Sequence, residues 1–92
     1  MTKAEIVSEI AKSTGLEKTV VASVVDSFME TVKKSMVSGD NVYLRGFGTF
    51  LLKHRAEKVA RNISKNTTIT IPEHNIPAFK AAKEFQQEVK GK

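Results

Sequence analysis

The 92-residue chain contains no cysteine. Neither a disulfide framework nor a thiolate metal site can therefore supplement its core. It has no apolar run long enough to span a bilayer, and its first residues, Met-Thr-Lys-Ala-Glu, lead straight into an amphipathic pattern instead of the apolar centre of a signal peptide. The expectation is a soluble cytoplasmic protein with no membrane partner. The glycosylation-like triplets Asn62-Ile63-Ser64 and Asn66-Thr67-Thr68 then carry no weight. Also missing are a phosphate-binding glycine loop and paired carboxylates near a histidine. No catalytic residue is expected, and the chain does not read as an enzyme. His54 and His74 have no carboxylate or second histidine at ligand spacing, so no metal ligand and no cofactor are assigned. The length allows one domain, residues 1–92, with a core so small that oligomerisation is the remaining common supplement.

What is present is positive charge, gathered in one place. Residues 1–44 carry five lysines against six acids, and residues 66–92 carry four lysines against three. Residues 45–65 carry Arg45, Lys53, Arg55, Lys58, Arg61 and Lys65 against Glu57 alone, so this segment accounts for the whole net charge of +5. A concentrated basic stretch on a nearly neutral scaffold points to a polyanion partner. A solvated charged surface would give the same count, and only the strand pattern separates the two.

Thr2-x-x-Glu5 has capping-box spacing, and Ile6, Val7, Ile10 and Ala11 recur at helical intervals. This predicts a first helix over about 3–14, stopped at Gly15. From Lys18, the stripe of Val21, Val24, Val25, Phe28, Met29, Val32 and Met36 predicts a second helix of about five turns, ended by Ser38-Gly39-Asp40-Asn41. Two antiparallel helices joined by a short link follow. Val42–Arg45 alternates as a strand, Gly46-Phe47-Gly48 makes a tight connection, and Thr49–Leu52 resumes. From Lys53 to Asn66 large apolar residues nearly vanish, then Ile69 and Ile71 alternate with Thr68 and Thr70 in a returning strand. Residues 62–66 are expected to form the turn between them. Pro72 and Pro77 are expected to bound an irregular stretch. Ala81, Ala82, Phe85 and Val89 predict a short final helix.

The expected class is α+β: a helical hairpin (1–40), a three-stranded antiparallel sheet (41–79) with a β-arm at about 53–71, and a C-terminal helix (80–90). An isolated hairpin is marginal in water, so the arm reads as a projection that gains order from a partner. Ten residues per strand give a reach of about 33 Å. Strict alternation places Lys53, Arg55, Glu57, Val59 and Arg61 on one face and His54, Ala56, Lys58 and Ala60 on the other. The functional reading is phosphate and minor-groove contact. The competing reading is an edge strand protected from aggregation by its charges.

Gly46-Phe47-Gly48-Thr49-Phe50, His54-Arg55-Ala56, Arg61-Asn62 and Asn75-Ile76-Pro77-Ala78-Phe79-Lys80, in this order, resemble the signature of the bacterial HU and integration host factor family. The resemblance covers essentially the whole chain. It implies an intertwined dimer, either a homodimer or a heterodimer with a paralogue, whose two arms wrap double-stranded DNA along the minor groove. By position it implies DNA contacts from Arg55, Lys58, Arg61 and Asn62, with added phosphate neutralisation by Lys53 and Lys65. Arg45 would reach DNA from the body, with Lys3, Lys80 and Lys83 on its flanks. Ile63 stands where the family usually has a proline wedge, and isoleucine is itself a class of minor-groove wedge; packing within the turn is the alternative use. Ala60 replaces a common glycine. Phe28, Phe47, Phe50 and Phe79 are expected in the core or dimer interface, not stacked on bases.

The implied function is architectural: sequence-tolerant binding, bending and compaction of the DNA of the bacterial nucleoid, including nicked, bent or junction DNA. Two alternatives stay open at this point. One is a basic-arm module for structured RNA, although the arm has no aromatic residues for stacking single strands. The other is docking of the arm on an acidic protein or an anionic membrane surface.

Overall fold

A computed structural model describes residues 1–62 and 67–91, with Asn62 as backbone only. By its internal contacts the chain divides into two compact units, Met1–Ser35 and Met36–Lys92.

In the first unit, helix α1 (Lys3–Thr14) starts from a capping box. Thr2 Oγ1 accepts from the Glu5 N–H at 3.2 Å, and Glu5 Oε1 accepts from the Thr2 N–H at 3.3 Å. These reciprocal bonds satisfy two donors that the helix itself cannot pair. The helix ends at Gly15, whose left-handed φ of 77° lets its N–H reach the Ala11 carbonyl at 2.9 Å. Helix α2 (Lys18–Val37) packs Val21 against Val7 and Ala11, with Ala22 and Val25 partly buried beside them. Its apolar arc is wider than this contact. Val20, Val24 and Phe28, spaced by four, lie along one stripe and remain exposed. Lys3 Nζ reaches Asp26 Oδ1 at 3.0 Å and so joins the start of α1 to α2.

Among its described residues the second unit holds the end of α2, five strands and a C-terminal helix. Strands β1 (Val42–Leu44), β2 (Gly48–Arg55) and β5 (His74–Ala81) form one antiparallel sheet in the order β1-β2-β5. Strands β3 (Lys58–Asn62) and β4 (Thr67–Ile71) form a separate two-stranded ladder, and helix α3 (Lys83–Lys90) closes the described chain.

Three expectations need correction. The segment bounded by Pro72 and Pro77 is not irregular: residues 74–81 form β5, and Pro77 lies inside it opposite Leu52. Proline is tolerated there because β5 is an edge strand, with one side free of ladder bonds. The last helix begins at Lys83, so Lys80 and Ala81 belong to the sheet. The outgoing strand of the arm is not continuous either; it is interrupted at Ala56-Glu57, next to the Pro72-Glu73 interruption on the returning side. The register survives this break. Arg55 pairs with His74 and Lys58 with Ile71, so two residues on each strand separate the ladders and neither strand carries a bulge. The expected 62–66 turn lies outside the described residues beyond Asn62.

Candidate nucleic-acid interface

Pairing register decides which side chains share a face, because residues opposite each other across a ladder point the same way. In the three-stranded sheet, Tyr43 is opposite Thr49, and Thr49 is opposite Lys80. Lys53 is opposite Ile76, and Arg55 is opposite His74. Thr49, Lys53 and Arg55 alternate along β2, so Tyr43, Lys53, Arg55 and Lys80 all lie on one face. No acidic residue of these three strands joins them.

The other face is aromatic and apolar. Val42 is opposite Phe50 and Phe50 opposite Phe79. The Phe50 and Phe79 rings are 5.0 Å apart, Phe79 and Phe47 5.1 Å, and Phe47 stacks on Phe85 of α3 at 5.4 Å and 15°. Such offset and tilted pairs are the favourable arrangements for ring quadrupoles. Phe50 and Phe85 are half-buried, while Phe47 and Phe79 keep nearly half of their surface exposed. Sequence reasoning grouped Phe47, Phe50 and Phe79 but gave Phe85 only to the helix periodicity. Its place in the cluster depends on where α3 is anchored. The Ala82 N–H donates to the Phe47 carbonyl at 2.8 Å, which ties the start of the helix to the β1–β2 turn.

That turn presents Arg45. The Phe47 N–H donates to the Leu44 carbonyl at 3.0 Å, and Gly46 takes φ 79° at the third turn position, where type II geometry needs a left-handed residue. Arg45 occupies the second position and is exposed. Arg45, Lys80 and Lys83 line one open concavity with Tyr43, Thr49 and Gln86. The structure thus brings together three cations that are 35 and 38 residues apart from the first in sequence (45 to 80 and 45 to 83).

Lys58 and Arg61 lie on opposite faces of the β3–β4 ladder, Lys58 with Ala60 and Ile69, Arg61 with Val59 and Thr68. β4 is exposed along its whole length, and Val59, Ile69 and Ile71 keep between 41% and 63% of their surface in water. The ladder has no core of its own. The Asn62 backbone pairs with Thr67, while Ile63 and Lys65 lie outside the described residues. Lys3 belongs to the first unit and is engaged with Asp26. Phe28 sits on the exposed stripe of α2.

At the base of the arm the structure supplies His54 with a carboxylate that sequence spacing did not show. Its Nε2 lies 3.4 Å from Glu73 Oε2 and its Nδ1 3.2 Å from Asn75 Oδ1. Register 54↔75 makes Glu73 a diagonal neighbour across the break, so only a correct hairpin pairing would have revealed the contact. Among the described residues, no group of three metal-ligating side chains gathers here or elsewhere. No helix among them is long and apolar enough to cross a membrane.

Residues 1–90 match the family model described as bacterial DNA-binding protein. The DNA-binding protein HU of Thermotoga maritima is 34% identical over 90 residues, covering 98% of this chain and 100% of that protein. HU of Staphylococcus aureus is 36% identical over 90 residues, with coverage of 98% and 100%. Among solved structures, a cocrystal of Anabaena HU with DNA superposes with a TM-score of 0.89 at 35% identity, covering 97% of each chain. The chain belongs to the bacterial HU/IHF DNA-binding protein family.

Proposed function

We propose that this chain is an architectural DNA-binding protein that dimerises, lays two β-arms along the minor groove and bends the duplex with little sequence preference. One observation carries the reading. Lys53, Arg55 and Lys80 share one face of the sheet, Phe50 and Phe79 take the opposite face, and the chain continues from the cationic face into an exposed ladder without a core. A ribbon of this kind gains little from extending into water. Neutralising phosphates releases condensed counterions and gives it a reason to extend. Few side chains here could read base edges in the major groove. Selectivity is therefore assigned to DNA deformability, with nicked, bent and junction DNA as favoured forms.

Dimerisation is supported by the exposed stripe of Val20, Val24 and Phe28 on α2 and by the half-exposed Phe47 and Phe79. Apolar side chains left in water side by side in this way mark interaction surfaces. The partner is a second copy or a paralogue. Membership of this family supports a location on the bacterial nucleoid and a non-catalytic role. Arg45, Lys53, Arg55, Lys58, Arg61, Asn62 and Lys65 are assigned to arm and saddle contacts, Lys3, Lys80 and Lys83 to flanking phosphates, and Ile63 to the wedge.

The test is a gel shift of the purified chain against linear, nicked and four-way-junction DNA over a series of salt concentrations, with RNA duplex and anionic vesicles as competitors. Tight binding to DNA with a steep negative dependence of log K on log salt is expected. Preference for RNA or vesicles over every DNA form would overturn the reading.

A further inference from the structure

We infer that Tyr43 is an uncharged phosphate-binding residue of the DNA interface, its hydroxyl poised by Asn41. The inference rests on the DNA-binding reading above and adds to it a contact that counting charges could not locate.

Tyr43 is set apart from the other rings. Phe47, Phe50, Phe79 and Phe85 stack with one another, whereas Tyr43 lies on the opposite, cationic face of the sheet and is 74% exposed. Its row across the three strands is Tyr43, Thr49, Lys80. It also lines the concavity that holds Arg45, Lys80 and Lys83. An aromatic side chain left in water among cations contributes little to the fold, since it buries little area.

The hydrogen bonds give the hydroxyl a direction. Asn41 Oδ1 accepts from the backbone N–H of Leu52 at 3.2 Å. This bond settles which end of the amide is which, because only the oxygen can accept there. The amide nitrogen is then the end that meets Tyr43, and it donates to the phenolic oxygen at 3.4 Å. A phenol whose oxygen accepts from an amide keeps its own hydrogen for an outside acceptor. In a concavity flanked by Arg45, Lys80 and Lys83, the acceptor with matching chemistry is a phosphate oxygen of the duplex backbone. Such a contact is charge-assisted on the acceptor side and carries no formal charge of its own. It adds affinity without releasing a counterion.

That separation makes the inference testable. Tyr43→Phe removes one oxygen and no charge. Its duplex affinity is expected to fall about threefold to tenfold at fixed salt, with the slope of log K against log salt unchanged. Lys80→Ala, measured alongside, is expected to flatten that slope by about one unit. The chain has one tyrosine and no tryptophan, so intrinsic tyrosine emission reads this side chain alone. Acrylamide quenching of the wild-type protein is expected to drop when saturating duplex is added, and this needs no variant to fold. If the wild type binds duplex while Tyr43→Phe binds equally well, or if quenching in the saturated complex equals that of the free protein, the role of Tyr43 is overturned and the DNA-binding reading stands. If the wild type does not bind duplex at all, the reading beneath it falls as well.

Discussion

A Cβ built on Gly48 would lie 2.6 Å from the tip of the Phe79 ring. The same atom would sit 2.6 Å from the Lys80 backbone carbonyl. Gly48 thus leaves room for the ring against β2 and so lets Phe79 reach both Phe47 and Phe50. Gly46, two residues away, is needed for a different reason: its φ is 79°, and nothing lies within 4 Å of where a Cβ would go.

The two glycines should therefore respond differently to the same change. Gly48→Ala should cost about 1–3 kcal/mol through overpacking, and Gly46→Ala about 1–2 kcal/mol through left-handed strain. Pairing each with Phe79→Leu should restore part of the loss at Gly48 and none at Gly46. The recovery at Gly48 stays partial because the Lys80 carbonyl cannot move out of the way. Thermal melts of the four variants, each double read against Phe79→Leu alone, check this at about 4–8 °C per kcal/mol for a domain of this size. Equal recovery at both positions would show that ring contact is not what requires Gly48.

The extent to which all this was legible in the sequence follows from the range of the interactions involved. Thr2, Glu5 and Gly15 fix α1 through contacts no more than four residues apart, and the expected and observed bounds agree. The strand over 74–81 is not legible in the sequence because Pro77 is a local signal against a strand, while its tolerance depends on β5 lying at an edge, which is a property of the whole sheet. The break at Ala56-Glu57 leaves no mark in the sequence, because alternation continues through it and the register does not slip. In the sequence, Arg45, Lys80 and Lys83 stand apart and are linked only by charge and resemblance. Their shared concavity becomes visible only once β1, β2 and β5 are paired and α3 is tied to Phe47.

Cations on the sheet face should act through phosphate and not through base identity. Arg55→Ala and Lys53→Ala are each expected to reduce the slope of log K against log salt by about one unit, and to weaken binding to unrelated sequences alike. Filter-binding isotherms on two duplexes of different composition, each at four salt concentrations, provide the check. A loss confined to one duplex would assign the residue to sequence readout instead.

Lys3 is paired with Asp26, so the phosphate contact proposed for Lys3 competes with that ion pair. The pair is exposed on both sides, at 56% and 52%, so its contribution to folding is expected to be small, under about 1 kcal/mol. Asp26→Ala should leave the melting temperature within a few degrees. It should also tighten duplex binding at low salt by removing a competing anion, and the gain should shrink as salt screens it. Lys3→Ala in the same background should cancel the gain. A tightening that persists without Lys3 would trace to the general loss of negative charge.

Ile63 lies outside the described residues, and the role proposed for it is a wedge between base pairs. Inserting an apolar side chain between base pairs unstacks one step and kinks the duplex. Shortening the side chain should therefore lower the bend more than the affinity, because phosphate contacts from Lys53 and Arg55 remain. Ile63→Ala is expected to lengthen the end-to-end distance of a doubly labelled duplex in energy-transfer measurements, with the salt slope of binding unchanged. Ile63→Pro, which restores the residue usual in the family, should keep or increase the bend. An unaltered end-to-end distance in Ile63→Ala at saturating protein would exclude the wedge and leave packing within the turn as the use of this residue.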